Sequence, residues 1–104
     1  MQRRRFVLFY SAFNPAVLRA IKRIIECGKK AGIMVGMCGE AAADPKLIPL
    51  LLAFGLDEFS VSATSVLKTR KTIAASSMAD CKALADKVMA CATEAEVQAV
   101  LAQQ

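Results

Sequence analysis

The 104 residues suffice for one domain or part of a larger one, and 56% of them are apolar, a rich share for so short a chain. The formal charge of +5 comes from 14 basic and 9 acidic residues. These are spread over several segments, without aromatic interleaving or a nucleic-acid motif, so the charge does not describe a nucleic-acid binder. Histidine is absent, which excludes His-dependent triads, imidazole metal sites and phosphohistidine chemistry from whatever this chain does by itself.

In chain order, the opening MQRRRFVLFYSAF has charges ahead of an apolar patch, as a secretory signal does. The patch is too short for an apolar core of about 7–15 residues. Asn14-Pro15 then marks a helix start, with a capping side chain before a proline at the first helical position. Val17, Leu18, Ile21, Ile24, Ile25 and Gly28 recur at helical spacing opposite Arg19, Lys22, Arg23, Glu26 and Lys29. Gly32 is placed to end this helix in the left-handed conformation. IMVGMC at 33–38 is a short continuous apolar run, the pattern of a parallel strand buried on both faces. Asp44-Pro45 repeats the helix-start signal, Leu47, Ile48, Leu51 and Leu52 supply a stripe, and Gly55 stops it.

LDEFSVSA at 56–63 is the second strand. The span 65–76 reads as a third helix, with Val66, Leu67, Arg70, Ile73 and Ala74 tracing its spacing. Ser77 and Asp80 form a capping pair for a fourth, whose stripe is Met78, Cys81, Leu84, Ala85, Val88 and Met89. Thr93 and Glu96 fit a capping box ahead of Val97, Val100 and Leu101. The longest later apolar stretch, LIPLLLAFGL, is interrupted by Pro49 and Gly55 and falls short of the roughly 20 residues that cross a bilayer. Four cysteines without a CxxC pair point to a reduced, cytoplasmic chain rather than a disulfide scaffold.

Helix, strand, helix, strand and then helices make a βαβ unit with additions. Two parallel strands alone leave both sheet edges unpaired, so the pattern is that of a slice of an α/β sheet or barrel. Exposed edges and surplus apolar surface predict a homo-oligomer.

Cys38 ends the first strand, at the edge where α/β folds bind ligands. Position alone leaves a working thiol and a buried small apolar residue equally open. Gly36 and Gly39 let backbone and ligand come close. Glu40 is either an orienting carboxylate for the thiol or a solvated loop residue. Asp44 reads as a cap, and Asp57 and Glu58 as loop residues rather than metal ligands. Cys27, Cys81 and Cys91 read as core or surface positions, and Met34, Met37, Met78 and Met89 as packing.

NPAVLRAIK, VGMCGEAAADP and GLDEFSVSA, in this order and spacing, resemble the C-terminal part of the barrel domain of Enzyme I. That family is the phosphoenolpyruvate-protein phosphotransferase of the bacterial sugar phosphotransferase system. Pyruvate phosphate dikinase and phosphoenolpyruvate synthase share a version of the cysteine motif, but the flanking residues here lean toward Enzyme I. The resemblance is strong from Asn14 through the third helix and looser to the end. It implies a partial (β/α)8 barrel, an α/β fragment with two parallel strands and about five helices. Residues 1–13 would be an atypical N-terminal segment and 14–104 the barrel fragment. The resemblance also implies that Cys38 is the general acid/base on the pyruvate enolate, with Gly39 and Glu40 at the substrate.

Phosphoryl transfer from phosphoenolpyruvate needs cationic groups on the phosphate and a metal ion. In the family the arginines and the acidic pair that holds Mg2+ belong to earlier strands, and the phosphohistidine to a separate domain. None of these is in this chain. It also departs from the family at Ala43, where relatives carry glycine, and in the opening MQRRRFVLFYSAF. The expected function is therefore a fragment of the phosphotransferase, inactive alone and active beside a complementary barrel fragment. The alternative is a non-catalytic oligomerisation or interaction module built on the same helices. A thiol redox protein is a third reading, disfavoured by the lack of CxxC.

Overall fold

A computed structural model describes residues 11–103 of the chain. Residues 1–10, which hold most of the expected N-terminal segment 1–13, lie outside the described residues. Helix α1 spans Pro15–Lys30. It is followed by strand β1 (Gly36–Cys38), a 3-10 turn (Glu40–Ala43), helix α2 (Ile48–Phe54) and strand β2 (Glu58–Ser60). A second 3-10 turn (Ala63–Ser65) leads into α3 (Val66–Ala75), α4 (Met78–Met89) and α5 (Glu94–Ala102). Among the described residues there are thus five α-helices and two strands.

The helix starts follow the capping chemistry of the sequence. The Asn14 side chain accepts from the Ala16 N–H at 2.8 Å, and Ser77 and Thr93 accept from the N–H groups of Asp80 and Glu96 at 3.5 and 3.2 Å. At the last of these the carboxylate of Glu96 also accepts from the Thr93 hydroxyl at 3.1 Å, so the two residues are joined twice. Gly32 and Gly55 end α1 and α2 with φ of 72° and 93°, values a residue without Cβ adopts at little cost. The Asp44-Pro45 signal begins a turn rather than the helix. Asp44 accepts from the Lys46 N–H at 2.9 Å, and α2 starts at Ile48.

Helix α2 is the centre of the packing. Its sequence IPLLLAF is apolar all round, and Ile48, Leu50, Leu51 and Phe54 are all buried, as expected for a helix surrounded by others. It packs most extensively on α4, with α1 and α3 also against it. Leu18 and Ile25 of α1, Leu84 and Val88 of α4, and Val97 and Leu101 of α5 complete the core. Arg19, on the wet side of α1, donates to the carbonyls of Cys91 and Met89 at 2.9 and 3.3 Å. It thereby ties α1 to the end of α4.

The strands pair in parallel, Gly36 with Glu58, Met37 with Phe59 and Cys38 with Ser60. Met37 and Phe59 pack against the helix core, while Gly36, Cys38, Glu58 and Ser60 are exposed on the other face. This corrects the expectation of a run buried on both faces. The regular strand is half as long as IMVGMC, and Ile33 and Met34 are 62% and 70% exposed, because the described helices cover one side of the sheet only. The stripe expected on α3 is also overturned. Val66 and Leu67 face solvent, and the buried position on that helix is Thr69. Of the methionines read as packing, Met37 and Met89 rest on the core, whereas Met34 and Met78 are exposed.

Candidate functional site

Parallel pairing places residues 36 and 58, and 38 and 60, side by side on one face, with strands about 4.8 Å apart. The uncovered face of the sheet is therefore a short row in which Cys38 stands beside Ser60 at the carboxyl edge, and Glu58 follows one step below. The Ser60 hydroxyl donates to the Glu58 carboxylate at 3.1 Å. Cys38 is a free, exposed cysteine, which removes the reading of a buried apolar residue.

Gly39 follows with φ 100° and ψ −170°, backbone that is essentially reserved for glycine. Its N–H donates to the Ser60 carbonyl at 3.3 Å, so the ladder continues one residue past the strand before the chain turns into Glu40–Ala43. Gly39 and Glu40 then line a cleft of about 490 Å³ together with Ala43, Asp44, Ser62 and Ser65. Cys38 is not in its lining. The fold brings Gly39 and Glu40 together at the mouth of this cleft, with Cys38 one residue away on the open sheet face. Ala43, the departure within the motif, is in the cleft wall. Between Cys38 and α2, which begins at Ile48, the chain runs through the 3-10 turn Glu40–Ala43.

Sequence pattern alone does not single out Ser60, and it makes Glu58 a loop residue. The signal that finds both is alternation in DEFS combined with the pairing register, because residues 58 and 60 share a face only once the strand is set against residues 36 and 38. Asp57 likewise has a structural task. Its carboxylate accepts from the Val35 N–H at 2.9 Å, its own N–H donates to the Val35 carbonyl at 3.0 Å, and Lys29 lies 3.6 Å away. These contacts lock the lower end of the strand pair and set the register that aligns Cys38 with Ser60.

The hydrogen bond from Val35, aided by the charge of Lys29 and opposed by partial desolvation, lowers the Asp57 carboxyl below its ordinary value of 3.8. A depressed folded value contributes stability that is fully present above the unfolded value. It is lost as pH falls through the folded one. Asp57→Asn is accordingly expected to lower Tm at neutral pH, with the gap to the parent closing as pH falls below the ordinary carboxyl value of 3.8. Thermal melts followed by circular dichroism across that range check it, and a gap of constant size would contradict the role of the charge.

Magnesium, which the resemblance implies for the whole enzyme, does not fit the residues present. Among the described residues no group of three or more Cys, Asp or Glu side chains is placed to hold a metal ion. Glu40 and Asp44 line the cleft, while Glu58 lies on the sheet face. No helix among the described residues is long and apolar enough to cross a membrane.

Residues 2–78 match the family described as PEP-utilising enzyme, PEP-binding domain. The chain is 47% identical over 93 residues to the phosphoenolpyruvate-protein phosphotransferase of Staphylococcus carnosus (strain TM300), covering 89% of this chain and 16% of that protein. It is 48% identical over 93 residues, with the same coverage, to the phosphotransferase of Staphylococcus aureus. To that of Bacillus subtilis (strain 168) it is 45% identical over 95 residues, covering 91% of this chain and 17% of the relative. The chain thus spans about one sixth of the length of the curated relatives it matches. With Cys38 at the carboxyl edge of a parallel pair and the match running unbroken through both strands, the chain belongs to the family of the PEP-utilising enzymes, within its PEP-binding domain.

Proposed function

We propose that this chain supplies the Cys38 and Ser60 edge of a phosphoenolpyruvate site, as part of a (β/α)8 barrel that acts as a phosphoenolpyruvate-protein phosphotransferase in the cytoplasm. The observation that carries the reading is the pairing of Cys38 with Ser60 on an uncovered sheet face. An exposed thiol at a strand's carboxyl end can reach a three-carbon ligand held above the sheet.

When the phosphoryl group leaves, the enolate of pyruvate remains. The Cys38 S–H gives its proton to the methylene carbon, a C–H bond forms, and the sulfur keeps the electron pair as a thiolate, which solvent reprotonates. In reverse the thiolate removes a methyl proton. Gly39 and Glu40 line the adjoining cleft, Gly39 through backbone without a side chain and Glu40 as a carboxylate that orients water or thiol. Groups for the phosphate and for Mg2+ come from other strands of the barrel, so the chain by itself is inactive.

The test is complementation. The chain is mixed with a second polypeptide that carries the remaining barrel strands and the phosphohistidine domain, in the presence of phosphoenolpyruvate and magnesium. Pyruvate formation is expected to appear on mixing, and two chains that co-elute yet form no pyruvate overturn the proposal.

A second reading is favoured by the apolar residues left in solvent, among them Ile24, Met34 and Leu67 at 62%, 70% and 80% exposure. In it the same helices serve as a homo-oligomerisation module without chemistry. Light scattering shows whether the chain self-associates, and assembly unchanged by Cys38→Ala, together with no pyruvate formation when the parent chain itself is complemented, selects this reading.

A further inference from the structure

The sheet face that carries Cys38 holds charge of one sign among the described residues. Glu58 is exposed there, beside Gly36 in the strand register. A Cβ at Gly36 would lie 3.3 Å from the Glu58 Cβ and 3.9 Å from its carboxyl carbon, so the missing side chain leaves Glu58 room to lie across the strand pair. The Ser60 hydroxyl holds the carboxylate in place, donating to it at 3.1 Å. Ser60 is the register partner of Cys38, and the tether therefore keeps a negative charge at a diagonal neighbour of the thiol. Arg70 of α3 lines a groove beside Glu58 and Ser60, yet the ion pair formed among the described residues joins Lys29 to Asp57 and leaves Glu58 out. The adjoining cleft adds Glu40 and Asp44 to its lining and no lysine or arginine.

We propose that Glu58, tethered by Ser60, is an orienting residue: its charge turns the anionic ends of an approaching ligand away from Cys38 and leaves the uncharged methylene end to meet the sulfur. That the ligand is a phosphorylated three-carbon acid rests on the proposed activity. Phosphoenolpyruvate carries charge on its carboxylate and its phosphate and none on its methylene carbon. Beside a fixed carboxylate the charged ends are repelled and the methylene is not. Ser60 adds to the selection. Its single hydroxyl hydrogen is committed to Glu58, so toward a ligand it presents lone pairs, which disfavour carboxylate and phosphate oxygens as well. Cations supplied to the phosphate by other strands of the barrel pull from the far side, and the two fields act in the same direction.

Two alkylating reagents of nearly the same shape, neutral iodoacetamide and anionic iodoacetate, read this field on the full 104-residue chain. Both react with the thiolate, so the ratio of their rates at one cysteine cancels the amount of thiolate present and reports the charge around it. Peptide mapping by mass spectrometry separates Cys38 from Cys27, the other exposed cysteine, which serves as the reference on α1. Iodoacetate is expected to be disfavoured at Cys38 relative to Cys27. Glu58→Gln keeps the shape and removes the charge. It is expected to raise the iodoacetate-to-iodoacetamide ratio at Cys38 about threefold, the effect of one charge across about 7 Å of water. Ser60→Ala should also raise it, because the untethered carboxylate turns out to solvent, whereas Ser60→Thr keeps the hydroxyl and should hold the parent's value. The Cys27 ratio should stay constant throughout.

Salt gives the same reading without a substitution. At an ionic strength of about 1 M, where charges are screened beyond about 3 Å, the parent's Cys38 ratio is expected to rise by a similar factor, and this decides the matter where a variant does not fold. Unreactive Cys81 and Cys91, both buried, mark an intact fold. A Cys38 ratio unmoved by Glu58→Gln or Ser60→Ala in a folded chain, or unmoved by salt in the parent, overturns the proposal. These measurements involve neither phosphoenolpyruvate nor a second chain, so their failure is distinct from a failure of complementation. In the complemented enzyme Glu58→Gln is expected to lower kcat and KM by a common factor, the mark of an added unproductive orientation of the substrate. A kcat lowered at unchanged KM overturns the orienting role.

Discussion

Cys38→Ala is expected to lower pyruvate formation by about 100- to 10,000-fold in the complemented enzyme, the range over which a positioned acid or base acts. The same substitution should change stability by no more than about 0.5 kcal/mol, because Cys38 is exposed and no packing is lost with it. That separation gives the experiment its force: a large kinetic loss at constant Tm assigns the sulfur to the chemistry rather than to the fold. Cys38→Ser refines the point, since it keeps size and polarity but replaces a thiol with a hydroxyl that is a far weaker acid. It is expected to behave like the alanine variant. Methyl-proton exchange of pyruvate in heavy water isolates the proton step and should fall in parallel. A Cys38→Ala enzyme that turns over phosphoenolpyruvate and exchanges methyl protons at the parent's rate removes Cys38 from the mechanism.

What was legible in the sequence was mostly what is decided within a few residues. Asn14, Ser77 and Thr93 declare helix starts because a cap is a bond to an N–H two or three residues on. Gly32 and Gly55 declare helix ends because the left-handed turn is a property of one residue. Cys38 could be placed at a strand's end because an apolar run followed by a capping signal brackets it. The failures share the opposite cause. Val66 and Leu67 follow the spacing of α3, yet which side of that helix is covered depends on what packs against it, α2 among the described elements, and the position turned inward is Thr69. The Thr69 hydroxyl is buried without a hydrogen-bond partner among the described residues, a polar group no spacing rule would put there. Asp57 looks like a loop carboxylate until Val35, 22 positions away, is known to donate to it. Ser60 joins the site only through register, which is itself set by that distant contact.

Leu50→Ala carries the largest expected effect on the fold. Leu50 is fully buried in α2, and Leu51 beside it is 1% exposed, so the atoms removed leave a void within the core rather than a dent open to solvent. Truncations of this kind cost about 2–5 kcal/mol, against a total stability of about 5–15 kcal/mol for a domain. A chain this small sits toward the lower part of that range. Urea unfolding is expected to show a midpoint lowered accordingly at unchanged slope, with Leu52→Ala, at a half-buried position of the same helix, costing distinctly less. The consequence reaches the site. A two-stranded sheet has little stability of its own, and β1 and β2 stay paired because Met37 and Phe59 rest on the helix cluster that Leu50 belongs to. Weakening that support should therefore release protection of the Met37 and Gly39 amides together with the global unfolding, not after it, and with it the alignment of Cys38 beside Ser60. A Leu50→Ala chain that loses less than about 1 kcal/mol, well below the range for buried leucines, would mean that the strands and α2 do not share one core.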